Sequence, residues 1–161
     1  MDIFATIVAK VAGISAESPL AGVLSGRSEI MELTEKSHDA AIRPRQMGGL
    51  THSERAALSC RIARLNGETT LAQHYENLIG GGNQAIADTG FHGGEDSRLK
   101  AILRHTDLVT VDPKRAVTGD ISALKSAGMT ESDIVRLSQL IAFVSYQIRV
   151  VAGLRLMAEV S

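Results

Sequence analysis

The side chains best suited to chemistry lie on two predicted helical segments, Leu50 to Leu65 and Glu68 to Ile79. The second segment carries His74 and Tyr75 on a face that is otherwise apolar. An imidazole can exchange protons near neutral pH, and a phenol can hydrogen-bond to a ligand. His74 and Tyr75 are therefore the candidate catalytic residues. A histidine satisfied within the core is the favoured interpretation of His74, and Tyr75 could equally fill space.

The ends of these two segments carry the signals that position that face. Thr51 stands three residues before Glu54, the spacing of a capping box in which each side chain satisfies an amide of the first helical turn. Asn66-Gly67 then suits the end of a helix, because glycine adopts a left-handed backbone conformation at little cost. The pattern predicts a helical hairpin. Capping alone would explain Glu54, so its role in a site is a second possibility.

Cys60 is the only cysteine in the chain and lies in the middle of the first segment. The neighbouring Arg61 could lower the pKa of its thiol, but a buried cysteine often behaves as a small hydrophobic residue. We predict packing for Cys60. A single cysteine also excludes an intramolecular disulfide.

Anion binding and metal binding are the other chemistries that the residue types allow. Four arginines could bind an anion if they converge, but salt bridges or a solvated surface are the favoured explanation; they are Arg61, Arg64, Arg149 and Arg155. Besides His74, the histidines are His38, His52, His92 and His105. None of them is spaced so that one helix face would offer two metal ligands, so no metal and no cofactor are predicted.

The remaining chain is predicted to be helical, with irregular connections. Helices are expected at Asp2 to Ala12, from a start at Ser18-Pro19, at Ser97 to Val109, at Thr118 to Ala127 with Thr118 as the cap, and from Thr130 to about Met157. Ile42 to Gly49 is expected to be a loop, and the glycine-rich stretch from Gly80 to Gly94 a flexible connection. No useful stretch has the alternation of a strand.

The last predicted helix is apolar on most of its sides. Such a helix must lie at the centre of a bundle or in a contact between subunits, so we predict a homo-oligomer. The 161 residues, 44% of them hydrophobic, suffice for one domain. A dispersed net charge of −1 argues against nucleic acid. No uninterrupted apolar run is long enough to span a membrane, so we expect a cytoplasmic protein.

Two stretches, LTHSERAALSCRIARLNGETTLAQHY at Leu50 to Tyr75 and the region from Leu99 to Leu156, resemble a known superfamily. It is the carboxymuconolactone decarboxylase and alkylhydroperoxidase-D-like (AhpD-like) superfamily, and its peroxidase-related branch is the more similar. The resemblance implies one all-α helical bundle over residues 1–161, with an N-terminal extension (1–49) and a core (50–161). A central hairpin and a long C-terminal helix belong to that fold.

Peroxidases of the family carry a Cys-x-x-Cys motif, a histidine and a glutamate that act together on peroxides. Aligned on Asn66-Gly67, the two cysteine positions are Glu68 and Leu71, the histidine position is Tyr75 and the glutamate position is Ala56. All four residues are replaced. The resemblance therefore implies a family member without thiol peroxidase activity.

Three functions are compatible with such a member. The first is a non-redox oligomeric binding or assembly domain. The second is decarboxylation or isomerisation of a small carboxylated ligand by His74 and Tyr75, with Glu54, Arg61 and Glu68 as substrate-binding residues. The third is one half of a split peroxidase system whose partner is a separate, cysteine-bearing family member.

Overall fold

The chain is all-α in the computed structural model, which describes residues 1–160. These residues contain no β-strand and form nine α-helices. The helices are α1 (Ile7–Ala12), α2 (Ala21–Ser25), α3 (Ser28–Ile42), α4 (His52–Leu65), α5 (Thr69–Glu76), α6 (Gln84–Ala87), α7 (Ser97–Val111), α8 (Thr118–Ser126) and α9 (Glu131–Glu159), with short 3-10 helices at Ile3–Ala5 and Pro113–Arg115. The predicted fold class is thus confirmed.

Helix α4 lies at the centre of the bundle. It packs against α3, α5, α6, α7 and α9, and every residue from Arg55 to Ala63 is buried. Both halves of the Thr51 and Glu54 capping box are present. Gly67 adopts a left-handed conformation with φ of 71°, and α4 and α5 form the predicted hairpin.

Three local predictions need correction. Ser18-Pro19 does not cap a helix, because the Ser18 hydroxyl accepts a hydrogen bond from the Ser15 amide and α2 begins only at Ala21. Thr118 is the first residue of α8 rather than its cap, and the Asp120 carboxylate accepts the Val117 amide instead. Residues 2–12 form a 3-10 helix and α1, separated at Thr6, instead of one continuous helix.

The glycine-rich stretch that follows α5 is also more ordered than predicted. It contains α6, which packs on α4, and several of its backbone carbonyls bind one buried side chain of α4. At Gly93 the φ of 98° is left-handed, and a Cβ there would lie 2.6 Å from the Lys100 amide nitrogen. Glycine is therefore required where this stretch meets α7.

The C-terminal helix α9 runs beside α1, α3, α4, α7 and α8. By length and composition it could cross a membrane, although polar residues such as Gln139, Gln147 and Arg149 interrupt its apolar residues. The core helix of a soluble protein can meet the same criteria. In its most apolar stretch, only 33% of the residues are buried inside the chain. Much of the apolar surface of α9 is therefore open.

Candidate functional site

The predicted catalytic histidine, His74, contacts a second histidine that the sequence did not connect with it. His74 lies on α5 and His38 on α3, and their Nε2 atoms are 3.3 Å apart. The His38 ring also stacks on Tyr75, with ring centroids 5.9 Å apart, and meets the edge of Phe143 on α9. The imidazoles thus belong to an aromatic cluster between three helices.

Both imidazoles are held in the neutral form. Burial, and then the charges of His38 and Lys10, lower the pKa of His74 to about 4. Burial also lowers the pKa of His38, against the opposing effect of Asp39 and Glu35. A neutral imidazole at pH 7 can accept a proton but has no acidic proton to supply.

Tyr75 is completely buried and points away from solvent. Its hydroxyl donates a hydrogen bond to Oε1 of Gln147 on α9. Burial raises the pKa of the phenol, so it remains protonated. Leu71, one turn earlier on α5, is also completely buried. Leu71 and Tyr75, on the hairpin face predicted to carry a site, are therefore packed into the core, where Gln147 of α9 and His38 of α3 contact Tyr75.

Arg61 is fully engaged within the chain. Its guanidinium pairs with the Asp107 carboxylate through two contacts of 2.6 Å. It also donates to four carbonyl oxygens of the glycine-rich stretch, those of Ile86, Asp88, Thr89 and Phe91. The side chain is completely buried. These hydrogen bonds hold the glycine-rich stretch against α4. They leave no N–H group of the Arg61 guanidinium in contact with solvent.

The other two predicted substrate-binding residues also have partners in the chain. Glu54 completes the capping box and accepts a hydrogen bond of 2.8 Å from Arg98. Glu68 caps α5 through the Leu71 amide and pairs with Arg155 of α9. These residues lie at the two ends of α4 and do not converge on His74.

Cys60 is completely buried in the core, in agreement with the packing role predicted for it. Burial raises the pKa of its thiol, against a smaller lowering by Arg64. A protonated and inaccessible thiol is a poor nucleophile. Within residues 1–160, no group of three or more histidine, cysteine, aspartate or glutamate side chains could hold a metal ion.

An open apolar groove lies between α3 and α9, a feature that the sequence patterns did not localise. The groove has a volume of about 350 Å³ and is lined mainly by Ile30, Leu33, Ala142, Phe143 and Tyr146. The Tyr146 hydroxyl hydrogen-bonds to the Thr34 hydroxyl at 2.9 Å. Helix periodicity could have assigned these residues to exposed faces of α3 and α9. It could not have shown that the two faces lie next to each other.

The chain matches no family model, no curated protein and no solved structure.

Proposed function

We propose that this chain is a non-redox binding and assembly domain of the AhpD-like type, which associates with a second copy of itself. The burial of the thiol and of two hairpin side chains carries the proposal. Cys60, Leu71 and Tyr75 are completely buried, so the only thiol cannot meet a peroxide from solvent. Family chemistry would need an accessible pair of thiols.

The groove between α3 and α9 supports the assembly half of the proposal. Ile30 is 54% exposed, Leu33 is 52% exposed and Tyr146 is 42% exposed. Burying such side chains in an interface releases water from apolar surface and is favourable by roughly 25 cal/mol per Å². Contiguous apolar patches on a protein surface commonly mark sites of association. A second α3 and α9 pair offers a surface of the same character.

Sedimentation velocity of the wild type and of Leu33→Glu tests this assembly. The wild type should sediment as a dimer or larger species, and Leu33→Glu should shift toward the monomer while its far-ultraviolet circular dichroism is unchanged. Val117→Glu is the matched control, because Val117 is an exposed apolar residue outside the groove. A monomeric wild type, or equal dissociation by both variants, would contradict self-association.

The two other functions have less support from the geometry. A decarboxylase would need a proton donor and a free cation, but His74 is neutral and Arg61 is engaged with Asp107. A split peroxidase would need a separate, cysteine-bearing relative as its partner. Formation of such a heterodimer by a wild type that does not self-associate would favour that alternative over ours.

A further inference from the structure

Arg55 on α4 is a buried cation without a carboxylate partner. Its side chain is only 3% exposed, yet it makes no ion pair within residues 1–160. Its guanidinium donates to three backbone carbonyls, those of Leu50, Ala41 and Met47, at 3.0 to 3.1 Å. A guanidinium has five N–H groups, so two remain. Buried charges are normally paired, which makes this one exceptional.

The nearby carboxylates are committed to other groups. Asp133 accepts hydrogen bonds from the Gly49 amide and the Thr130 hydroxyl and pairs with Arg136. Glu54 accepts from Thr51 and from Arg98. The charge of Arg55 is therefore balanced only at a distance.

A second arginine faces the same space. Arg55 and Arg136 line one cavity of about 220 Å³, together with Gln46, Gln139, Pro44 and Leu140. Burial, and then the charge of Arg136, lower the pKa of Arg55. Neither glutamine side chain has a hydrogen-bond partner in the described chain. Two like charges and two unused carboxamides thus surround one small space.

We infer that this cavity binds a compact oxyanion, a carboxylate or a phosphate, between the guanidiniums of Arg55 and Arg136. The fork of a guanidinium matches the paired oxygens of either group. Gln46 and Gln139 can donate further hydrogen bonds, and Leu140 and Pro44 allow a short apolar body. The volume lies below the range of about 300–1,000 Å³ found for drug-sized ligands, so the ligand is small.

This site is separate from the hairpin face and from the groove between α3 and α9. It does not depend on the proposed assembly, because its lining residues and those of the groove do not overlap. A failure of self-association would therefore leave the inference standing.

Isothermal titration calorimetry at pH 7.5 and low ionic strength, with inorganic phosphate in one series and succinate in another, tests the site. Saturable binding of either anion to one site per chain is expected, and the tighter series identifies the head group. Arg136→Gln should weaken binding about 10- to 100-fold, as expected for a lost hydrogen bond to a charged group. Arg136→Lys, which keeps the charge and can still reach Asp133, should weaken it less.

Arg149→Gln is the matched control, because Arg149 is an exposed arginine of α9 outside the cavity. It changes the net charge of the chain as Arg136→Gln does, and it should leave the affinity unchanged. Gln139→Leu keeps every charge and should still weaken binding. The inference is overturned if neither anion binds saturably to the wild type, or if Arg136→Gln and Arg149→Gln have the same affinity.

Discussion

The Tyr75 hydroxyl donates a hydrogen bond to Oε1 of Gln147, and both side chains are completely buried. This bond joins the second hairpin helix to the middle of α9. Nε2 of Gln147 has no partner in the described chain, so Tyr75 provides the only hydrogen bond of that carboxamide. The tyrosine is thereby part of the core.

Tyr75→Phe should lower the free energy of unfolding by about 1–3 kcal/mol, because it leaves the Gln147 carboxamide buried without any partner. Urea denaturation measures the loss. Tyr146→Phe removes a more exposed hydroxyl, bonded to Thr34, and should cost only about 0.5–1 kcal/mol. The double variant Tyr75→Phe with Gln147→Leu should recover part of the loss. Strictly additive effects of those two substitutions would contradict the coupling.

Arg61→Met should destabilise the chain by about 3–5 kcal/mol, since it leaves Asp107 without its partner and releases four backbone carbonyls. Hydrogen exchange should also show that residues 86–91 lose protection first. Arg64→Gln is the control, because Arg64 pairs with Glu76 near the surface and should cost about 1 kcal/mol or less. Equal costs for the two variants would show that the buried pair has no special role.

The neutral His38 and His74 pair predicts that stability falls in mild acid. The pKa of His74 is about 4 in the folded chain, against about 6.5 for an unfolded histidine. The unfolded state thus binds more protons, and stability is lost as the pH falls from about 6.5 toward about 4. Urea denaturation at pH 7 and pH 5 should show this loss in the wild type.

His74→Gln should reduce that difference between pH 7 and pH 5. His52→Gln, at an exposed histidine on α4 outside the pair, should retain it. A wild type that is as stable at pH 5 as at pH 7 would contradict the neutral pair.

The sequence predicted the hairpin well because its signals are local. The Thr51 and Glu54 capping box and the Asn66-Gly67 turn act within a few residues, and the structure has the helix ends close to where they place them. The contact between His38 and His74 was not predicted. Helix periodicity assigns a side chain to a face, but it does not say which distant helix covers that face.

Long-range contacts also explain the errors in the glycine-rich stretch and at Arg61. The glycine content suggested a flexible connection, and the arginine suggested either a surface ion pair or an anion site. Neither prediction foresaw that the two features bind each other. The Arg61 guanidinium donates hydrogen bonds to backbone carbonyls of residues 86–91 and so orders the stretch. Asp107, which completes that arrangement, lies 46 positions away along the chain.

Peroxide consumption by the purified protein tests most directly whether the chain has lost thiol chemistry. In the presence of dithiothreitol, the rate with wild type should equal the rate with dithiothreitol alone. Cys60→Ser should give the same rate, because the Cys60 thiol is buried and protonated. Saturable turnover of hydrogen peroxide or an alkyl hydroperoxide that disappears in Cys60→Ser would contradict the proposed non-redox function.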